Sequence, residues 1–355
     1  MSDSSSYSKL KPPVAGDRSH APTLNAILKD VSRSFYLTIR ALPAGMRAVV
    51  GVAYLLARAA DTIADTTLIP ADQRLRLLRE FQWLGAVPQP WPASSDTVQS
   101  LRGERALLAR IDEVLALLRG LPEPDQADVR AVLATLIEGM VWDLEYFGAG
   151  QDVVKALRAP EELERYTYLV AGCVGEFWTR VSMRHAPALR RWDAQQYTAL
   201  GIHYGKALQL TNVLRDIRAD LALKRCYLPQ TQLAARGLTP GMLLDASSAA
   251  AARPLLAHWI GVALRYYRDA EAYALAIPRR CVRLRLAALW PMLIGLKTLA
   301  RLAAHPHYLG AAQPVKIRRA EVYGIMLKSF VTVFSNHLLR RWLRRLHENI
   351  RPRLV

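Results

Sequence analysis

The stretch Gln209-Leu-Thr-Asn212-Val-Leu-Arg215-Asp216-Ile-Arg-Ala-Asp220 closes a run from Asp193 to Leu221 that is rich in Ala, Leu, Arg and Gln. Such composition favours a helix, and on a helix residues four apart share a face. Asn212, Asp216 and Asp220 therefore fall on one stripe, with Arg215 alongside. An earlier stretch repeats the arrangement: Tyr54-Leu-Leu-Ala-Arg58-Ala-Ala-Asp61-Thr-Ile-Ala-Asp65. Here Asp61 and Asp65 project together, with Arg58 one turn before them. Paired carboxylates on a mostly apolar helix repel each other and lose hydration unless a cation sits between them. Mg²⁺ suits that need, because it takes one or two carboxylates and completes its octahedron with water and phosphate oxygens. The neighbouring arginines add bidentate phosphate contacts. Two such helices facing each other in a bundle would trap a diphosphate at the mouth of an apolar cavity. A single DxxxD is more often a surface ion pair; two copies, each flanked by Arg, weigh against that.

Outward from these stretches the pattern stays helical. Leu24–Leu28, Met46–Thr62, Gln73–Leu84, Leu101–Leu118, Gln126–Phe147, Glu161–Arg184, Pro254–Leu275, Arg279–Leu302 and Val322–Leu346 mostly repeat their apolar residues at three- and four-residue spacing. Pro and Gly punctuate between them, as at Pro88–Pro92, Gly148–Gly150 and Gly237–Gly241. Ser329–Ser335 is β-branched and aromatic but lies inside a longer helical period. The expectation is an all-α bundle in one domain over residues 23–355, after a polar tail at residues 1–22 and ending in a basic amphipathic helix.

The 355 residues carry 48 Lys and Arg against 30 Asp and Glu, a net charge of +18. That field attracts polyanions, whether nucleic acid, anionic lipid or a phosphorylated substrate. Three scattered cysteines (Cys173, Cys226, Cys281) exclude a disulfide scaffold or zinc ribbon and fit a reducing compartment. The longest apolar runs, Ala48–Ala57 and Leu286–Leu296, are short of the roughly 20 residues of a membrane span. The expected setting is cytoplasmic; the basic amphipathic stretch from His337 to Arg353 reads about equally as a peripheral contact to an anionic membrane or as a solvated helix that closes the bundle. No strand precedes a phosphate-binding glycine loop, so a nucleotide fold is not indicated.

With Ser32-Arg33-Ser34-Phe35, Tyr54–Asp65, Tyr166-Thr-Tyr-Leu-Val170-Ala-Gly172-Cys-Val-Gly175, Asn212–Asp220, Lys224-Arg225-Cys-Tyr-Leu-Pro229 and Val315-Lys316-Ile-Arg318-Arg319, the chain resembles the squalene and phytoene synthase family. The likeness runs from about residue 32 to about residue 326 and leans towards squalene synthases. It implies an all-α isoprenoid-synthase fold and head-to-head condensation of two farnesyl diphosphates, followed by NADPH-dependent reduction to squalene. The nearer alternative is a phytoene or dehydrosqualene synthase that omits hydride transfer. By resemblance, Asp61, Asp65, Asp216 and Asp220 hold Mg²⁺, with Mn²⁺ as an alternative ion. Arg33, Tyr54, Arg58, Arg215 and Arg225 draw on the diphosphate, and Gln209 and Asn212 line the substrate pocket. Tyr166 serves the first half-reaction, and Lys316 with Arg318 clamps NADPH. Ala64 and Ala219 stand where the family often has Glu, and Ala287 where squalene synthases tend to place Phe. A monomer is expected.

Other residues have plainer readings. Asp143 lines the cavity or sits on a helix surface, about equally, and His203 reads as packing. Tyr168, Phe177, Trp178 and Trp290 are candidates for aromatic cavity walls. A basic lipid-surface or nucleic-acid binding protein remains the rival from another class; it explains the charge but not two DxxxD stretches beside Arg, and no nucleic acid is expected.

Overall fold

The computed structural model describes residues 24, 26–28, 39–66, 69–82, 102–148, 152–305, 309 and 315–351. The tail expected at residues 1–22, and Arg33 with its Ser32–Phe35 motif, lie outside them. The described residues form helices α1 (Ala44–Asp65), α2 (Ala71–Gln82), α3 (Arg102–Ala109), α4 (Ile111–Arg119), α5 (Glu123–Phe147), α6 (Pro160–Thr167), α7 (Cys173–His185), α8 (Ala194–Ala222), α9 (Gln230–Ala234), α10 (Ala249–Ala276), α11 (Val282–Ala304), α12 (Arg319–Thr332) and α13 (Asn336–Ile350). This is the all-α bundle that the apolar periodicity predicts. The long helix α8 is central, packing on α7, α10 and α11, while α1 packs on α5.

Three predicted helices are subdivided. The run Leu101–Leu118 breaks at Arg110, which leaves helical geometry with ψ at 16°. Val322–Leu346 breaks at Val333–Ser335, where the Ser335 hydroxyl caps α13 by accepting from the Leu338 N–H. Within Glu161–Arg184, residues Tyr168–Gly172 form a π-helical turn between α6 and α7. Two short strands, Lys155–Ala156 (β1) and Arg225–Cys226 (β2), pair in parallel just past the end of α8.

The crossing of α7 with α8 is close because Gly175 and Gly201 meet there. A Cβ on Gly175 would stand 1.8 Å from the Gly201 carbonyl oxygen, and one on Gly205 would stand 2.1 Å from that of Ala171. Helix α11 has the length and hydropathy to cross a membrane, but 72% of its most apolar stretch is buried inside the protein. It also carries Pro291, which has no N–H to give to its own helix. Beside it the Tyr204 hydroxyl donates to the Ala288 carbonyl and accepts from the Met292 N–H at 3.1 Å. The side chain is inserted into the helical ladder.

On α13, Leu339, Leu343 and Ile350 are buried, and so is His347, whose two ring nitrogens have no hydrogen-bond partner. Burial, with Arg268 nearby, pushes the His347 imidazole down to about 4. A histidine depressed in the folded state is stabilising as the neutral form above the ordinary value near 6.5 and loses that stability as pH falls towards 4. The protein is expected to lose about 3 kcal/mol from this group between those limits. His347→Leu should flatten that acid limb in denaturant titrations run at successive pH values. An unchanged slope would place the acid sensitivity elsewhere.

Candidate diphosphate site

The site begins with two stripes that run from apolar to acidic and an apolar one that faces them. On α1 the sequence of lining residues is Val50, Ala53, Tyr54, Ala57, Arg58 and Asp61, and on α5 it is Val132, Leu136 and Met140. Asp143 follows on the same α5 face, three residues beyond Met140. From the other side come Val170 of the π turn and Val174, Phe177 and Trp178 of α7. Together they enclose a cavity of about 360 Å³ whose lining is mostly apolar. Of the aromatic walls expected from sequence, Phe177 and Trp178 line it. Tyr168 instead donates to Glu176 at 3.2 Å, and Trp290 donates its indole N–H to Ser329 at 2.8 Å. His203 pairs with Asp269 at 2.6 Å, and its ring lies tilted against Tyr266, away from the cavity lining.

At the polar end, Asp143 is only 8% exposed and links the two acidic motifs. Its Oδ2 accepts from Arg225 at 2.8 Å and its Oδ1 from the Tyr227 hydroxyl at 2.6 Å. The strand pair β1–β2 fixes Arg225 directly after α8, so the guanidinium faces α5. Asp65 of α1 acts electrostatically on both Asp143 and Arg225, and Asp220 of α8 is influenced by Asp143 and Arg225. The ends of α1 and α8 therefore converge on one ion pair. Arg74 joins them: it donates to the Ala64 carbonyl at 2.7 Å and feels both Arg225 and Asp65.

Within each motif the arginine already holds its neighbour. Arg58 is hydrogen-bonded to Asp61, and Arg215 grips Asp216 with two bonds, Nε to Oδ1 at 2.8 Å being one. Asn212 donates to Gln209 at 3.4 Å. Burial, then the carboxylates of Asp216 and Asp143, push Asp220 up to about 7. Among the described residues no three acidic, His or Cys side chains gather tightly enough to hold a metal by themselves. The donor set nevertheless fits Mg²⁺ that shares its coordination with phosphate oxygens. Asp61 and Asp65 end α1, and Asp216 and Asp220 lie in the closing turns of α8. Helix C-termini carry partial negative charge, so acids are disfavoured there unless a cation compensates.

Tyr166 is buried beside this ion pair, its ring stacked on Tyr227 with centroids 4.6 Å apart. Burial and the nearby Asp143 carboxylate push its hydroxyl well above the usual tyrosine range. The Tyr166 hydroxyl also acts electrostatically on that of Tyr227. Tyr227 gives its one proton to Asp143, so towards Tyr166 its oxygen can only accept. Tyr166, Tyr227 and Asp143 thus stand in file, two stacked rings followed by the hydrogen bond from Tyr227 to Asp143. Lys316 and Arg318 are exposed on the segment before α12, where Arg301 donates to the Lys316 carbonyl and the Arg318 N–H donates to Glu321 at 3.1 Å. Nothing among the described residues joins them by a direct contact to the acidic end.

A sequence model of squalene/phytoene synthase matches residues 28–321 of this chain. The chain belongs to the squalene/phytoene synthase family. It is accordingly a prenyltransferase. Relatives within this family include a presqualene diphosphate synthase of Rhodopseudomonas palustris, 28% identical over 300 residues, covering 83% of this chain and 92% of that protein. A squalene synthase of Schizosaccharomyces pombe is 26% identical over 329 residues, covering 92% of this chain and 69% of the other. Among solved structures, the complex of TcSQS with the ligand E5700 superposes with a TM-score of 0.71 at 22% identity, over 93% of this chain and 99% of that one. A dehydrosqualene synthase in complex with ligand gives 0.59 at 21% identity, over 88% and 96%. At those identities the structures speak for the fold, an all-α isoprenoid-synthase bundle.

Sequence reasoning left three members of the acidic end without an assigned part. Asp143 was legible as a cavity-facing acid from its place on α5, but equally as a surface one. Tyr227 lies two residues past Arg225 in a quoted motif, with nothing in the spacing to say that it faces Asp143. Arg74 has no sequence signal.

Proposed function

We propose that the protein joins two molecules of farnesyl diphosphate head to head to give presqualene diphosphate, and that with NADPH it carries this intermediate on to squalene. The observation that carries the reading is the convergence of α1 and α8 on Asp143–Arg225, beside an apolar cavity that Arg58 and Asp61 of the first acidic motif line. Asp61, Asp65, Asp216 and Asp220 would hold Mg²⁺, which supplies positive charge to the departing diphosphate. Arg58, Arg215 and Arg225, with Tyr54 at the cavity rim, orient the diphosphate and stabilise its charge as the carbon–oxygen bond breaks. Arg33, Gln209 and Asn212 complete the substrate contacts. The apolar walls keep water from the allylic cation, which it would convert to an alcohol.

The double bond of the second substrate then forms the new carbon–carbon bond, and loss of a proton closes the cyclopropane. A neutral Tyr166 can accept that proton only by passing on its own. The route would run from Tyr166 to the stacked Tyr227 and from Tyr227 to the Asp143 carboxylate, to which it already donates. Lys316 and Arg318 present adjacent cations suited to a dinucleotide phosphate, and NADPH supplies the hydride of the second half.

A second reading, in which the product is presqualene diphosphate itself, is favoured by the Rhodopseudomonas palustris relative, 92% of whose length this chain covers. The test is farnesyl diphosphate with Mg²⁺, with and without NADPH, followed by product analysis. Squalene that appears only with NADPH supports the full reading, and presqualene diphosphate under both conditions selects the second. Dehydrosqualene regardless of NADPH would replace both, and the absence of diphosphate release would sink the assignment.

A further inference from the structure

Helix α12 is amphipathic the wrong way round for a helix facing water. It buries Ser329 and Thr332 with Ile325, and it exposes Tyr323, Leu327, Phe330 and Val331. Leu327 is 73% and Val331 71% exposed, and Phe334 in the break and Leu338 at the start of α13 are exposed as well. A helix seated on a protein core with water outside has the opposite polarity. Its rotation is pinned. The Trp290 indole N–H donates to the buried Ser329 hydroxyl at 2.8 Å, and Glu321 at the first turn is held by Arg301 and by Lys297 at 3.5 Å. The helix cannot roll its apolar side inward without breaking these bonds.

The adjoining helix α13 supplies charge. Its own apolar side is spent on α11 and α10, so that it closes the bundle, one of the two readings its sequence leaves open. What it turns outward is Arg340, Arg341, Arg344 and Arg345, which make no ion pair among the described residues. Lys328 on α12 lies over the Trp342 ring of α13 at 4.2 Å, so the cationic and apolar parts meet.

We propose that the outer side of α12, with the arginines of α13, is a docking surface for an anionic lipid bilayer, into which Leu327, Phe330 and Val331 insert at headgroup depth. Apolar side chains backed by a cationic margin match an acyl boundary beneath anionic headgroups. A second copy of the chain would bring the same unpaired arginines against each other.

The experiment is co-sedimentation of the full chain with vesicles of phosphatidylcholine alone or in equal parts with phosphatidylglycerol. Binding is expected with phosphatidylglycerol and is expected to weaken as salt is raised. Leu327→Ser with Val331→Ser should lower partitioning at least about tenfold, since both lose apolar burial. Lys328→Gln with Arg344→Gln and Arg345→Gln should lower it about 100-fold, at about fivefold per charge. The Leu327 and Val331 variant should keep the parent's thermal midpoint because both side chains are exposed, and the charge variant should lose only the small contribution of the Lys328 contact with Trp342. Partitioning unchanged by the Leu327 and Val331 substitutions would overturn the proposal. So would a dimer that those substitutions dissociate in a protein with no vesicle affinity. The measurement involves no turnover, so its failure leaves the proposed reaction untouched.

Discussion

Tyr166→Phe is expected to lower kcat for condensation about 10²- to 10⁴-fold, the range associated with loss of a positioned proton-transfer group. The substitution removes one oxygen and keeps the ring, so the stack on Tyr227 at 4.6 Å survives and the cavity keeps its shape. KM for farnesyl diphosphate should therefore move only a few-fold, which marks an interaction made in the transition state rather than on binding. Asp143→Asn tests the same path at its far end. It removes the proton acceptor and also the charge that holds Arg225 at 2.8 Å, so both kcat and KM should suffer. If the Tyr166→Phe enzyme turned over within tenfold of the parent, the hydroxyl chain would have no part in proton removal, and another base would have to be sought.

The largest effect on stability is expected at the crossing of α7 with α8. Gly175→Ala places a methyl carbon 1.8 Å from a backbone oxygen of Gly201, and no rotamer change relieves a clash between two backbones. The helices must separate, which opens packing around Thr179, whose hydroxyl meets both the Gly175 carbonyl at 2.8 Å and the Tyr273 hydroxyl at 3.1 Å. A loss of about 3–5 kcal/mol is expected, the upper range for overpacking a core. Gly261→Ala in α10 is the contrast. Nothing lies within 4 Å of the added carbon there, and the gain in helix propensity should stabilise by about 0.5–1 kcal/mol. Thermal unfolding of the two variants beside the parent settles the matter; a Gly175→Ala protein as stable as the parent would mean the helices cross less tightly than described.

The legible part of this molecule is what repeats. Helices of three or more turns carry many apolar positions, so their period survives in the sequence, and the acid stripes of α1 and α8 stand out because they interrupt it. Breaks decided by one residue leave little trace. The hydroxyl of Ser335 ends one helix and begins another inside an unbroken apolar rhythm. Arg110 divides α3 from α4 by backbone angle alone. Contacts between distant segments are harder still. That Asp143 meets Arg225 and Tyr227 depends on a two-residue strand pair, β1 with β2, too short for any pattern. The exposed side of α12 was hidden for another reason: its apolar residues have ordinary helical spacing, and only the packing of α11 and α12 decides which side faces outward.

The π turn at Tyr168–Gly172 has a consequence for the ruler along which this wall is measured. In an ideal α-helix each four-residue step swings the side chain by about 40°, so Tyr166, Val170, Val174 and Trp178 would spiral away from one another by about 120°. A looser turn between them takes up much of that swing and keeps these positions in file. Removing one residue from the turn would shift everything downstream by a notch, carrying Val174 and Trp178 off the wall and Gly175 out from under its partner, with no side chain altered in kind.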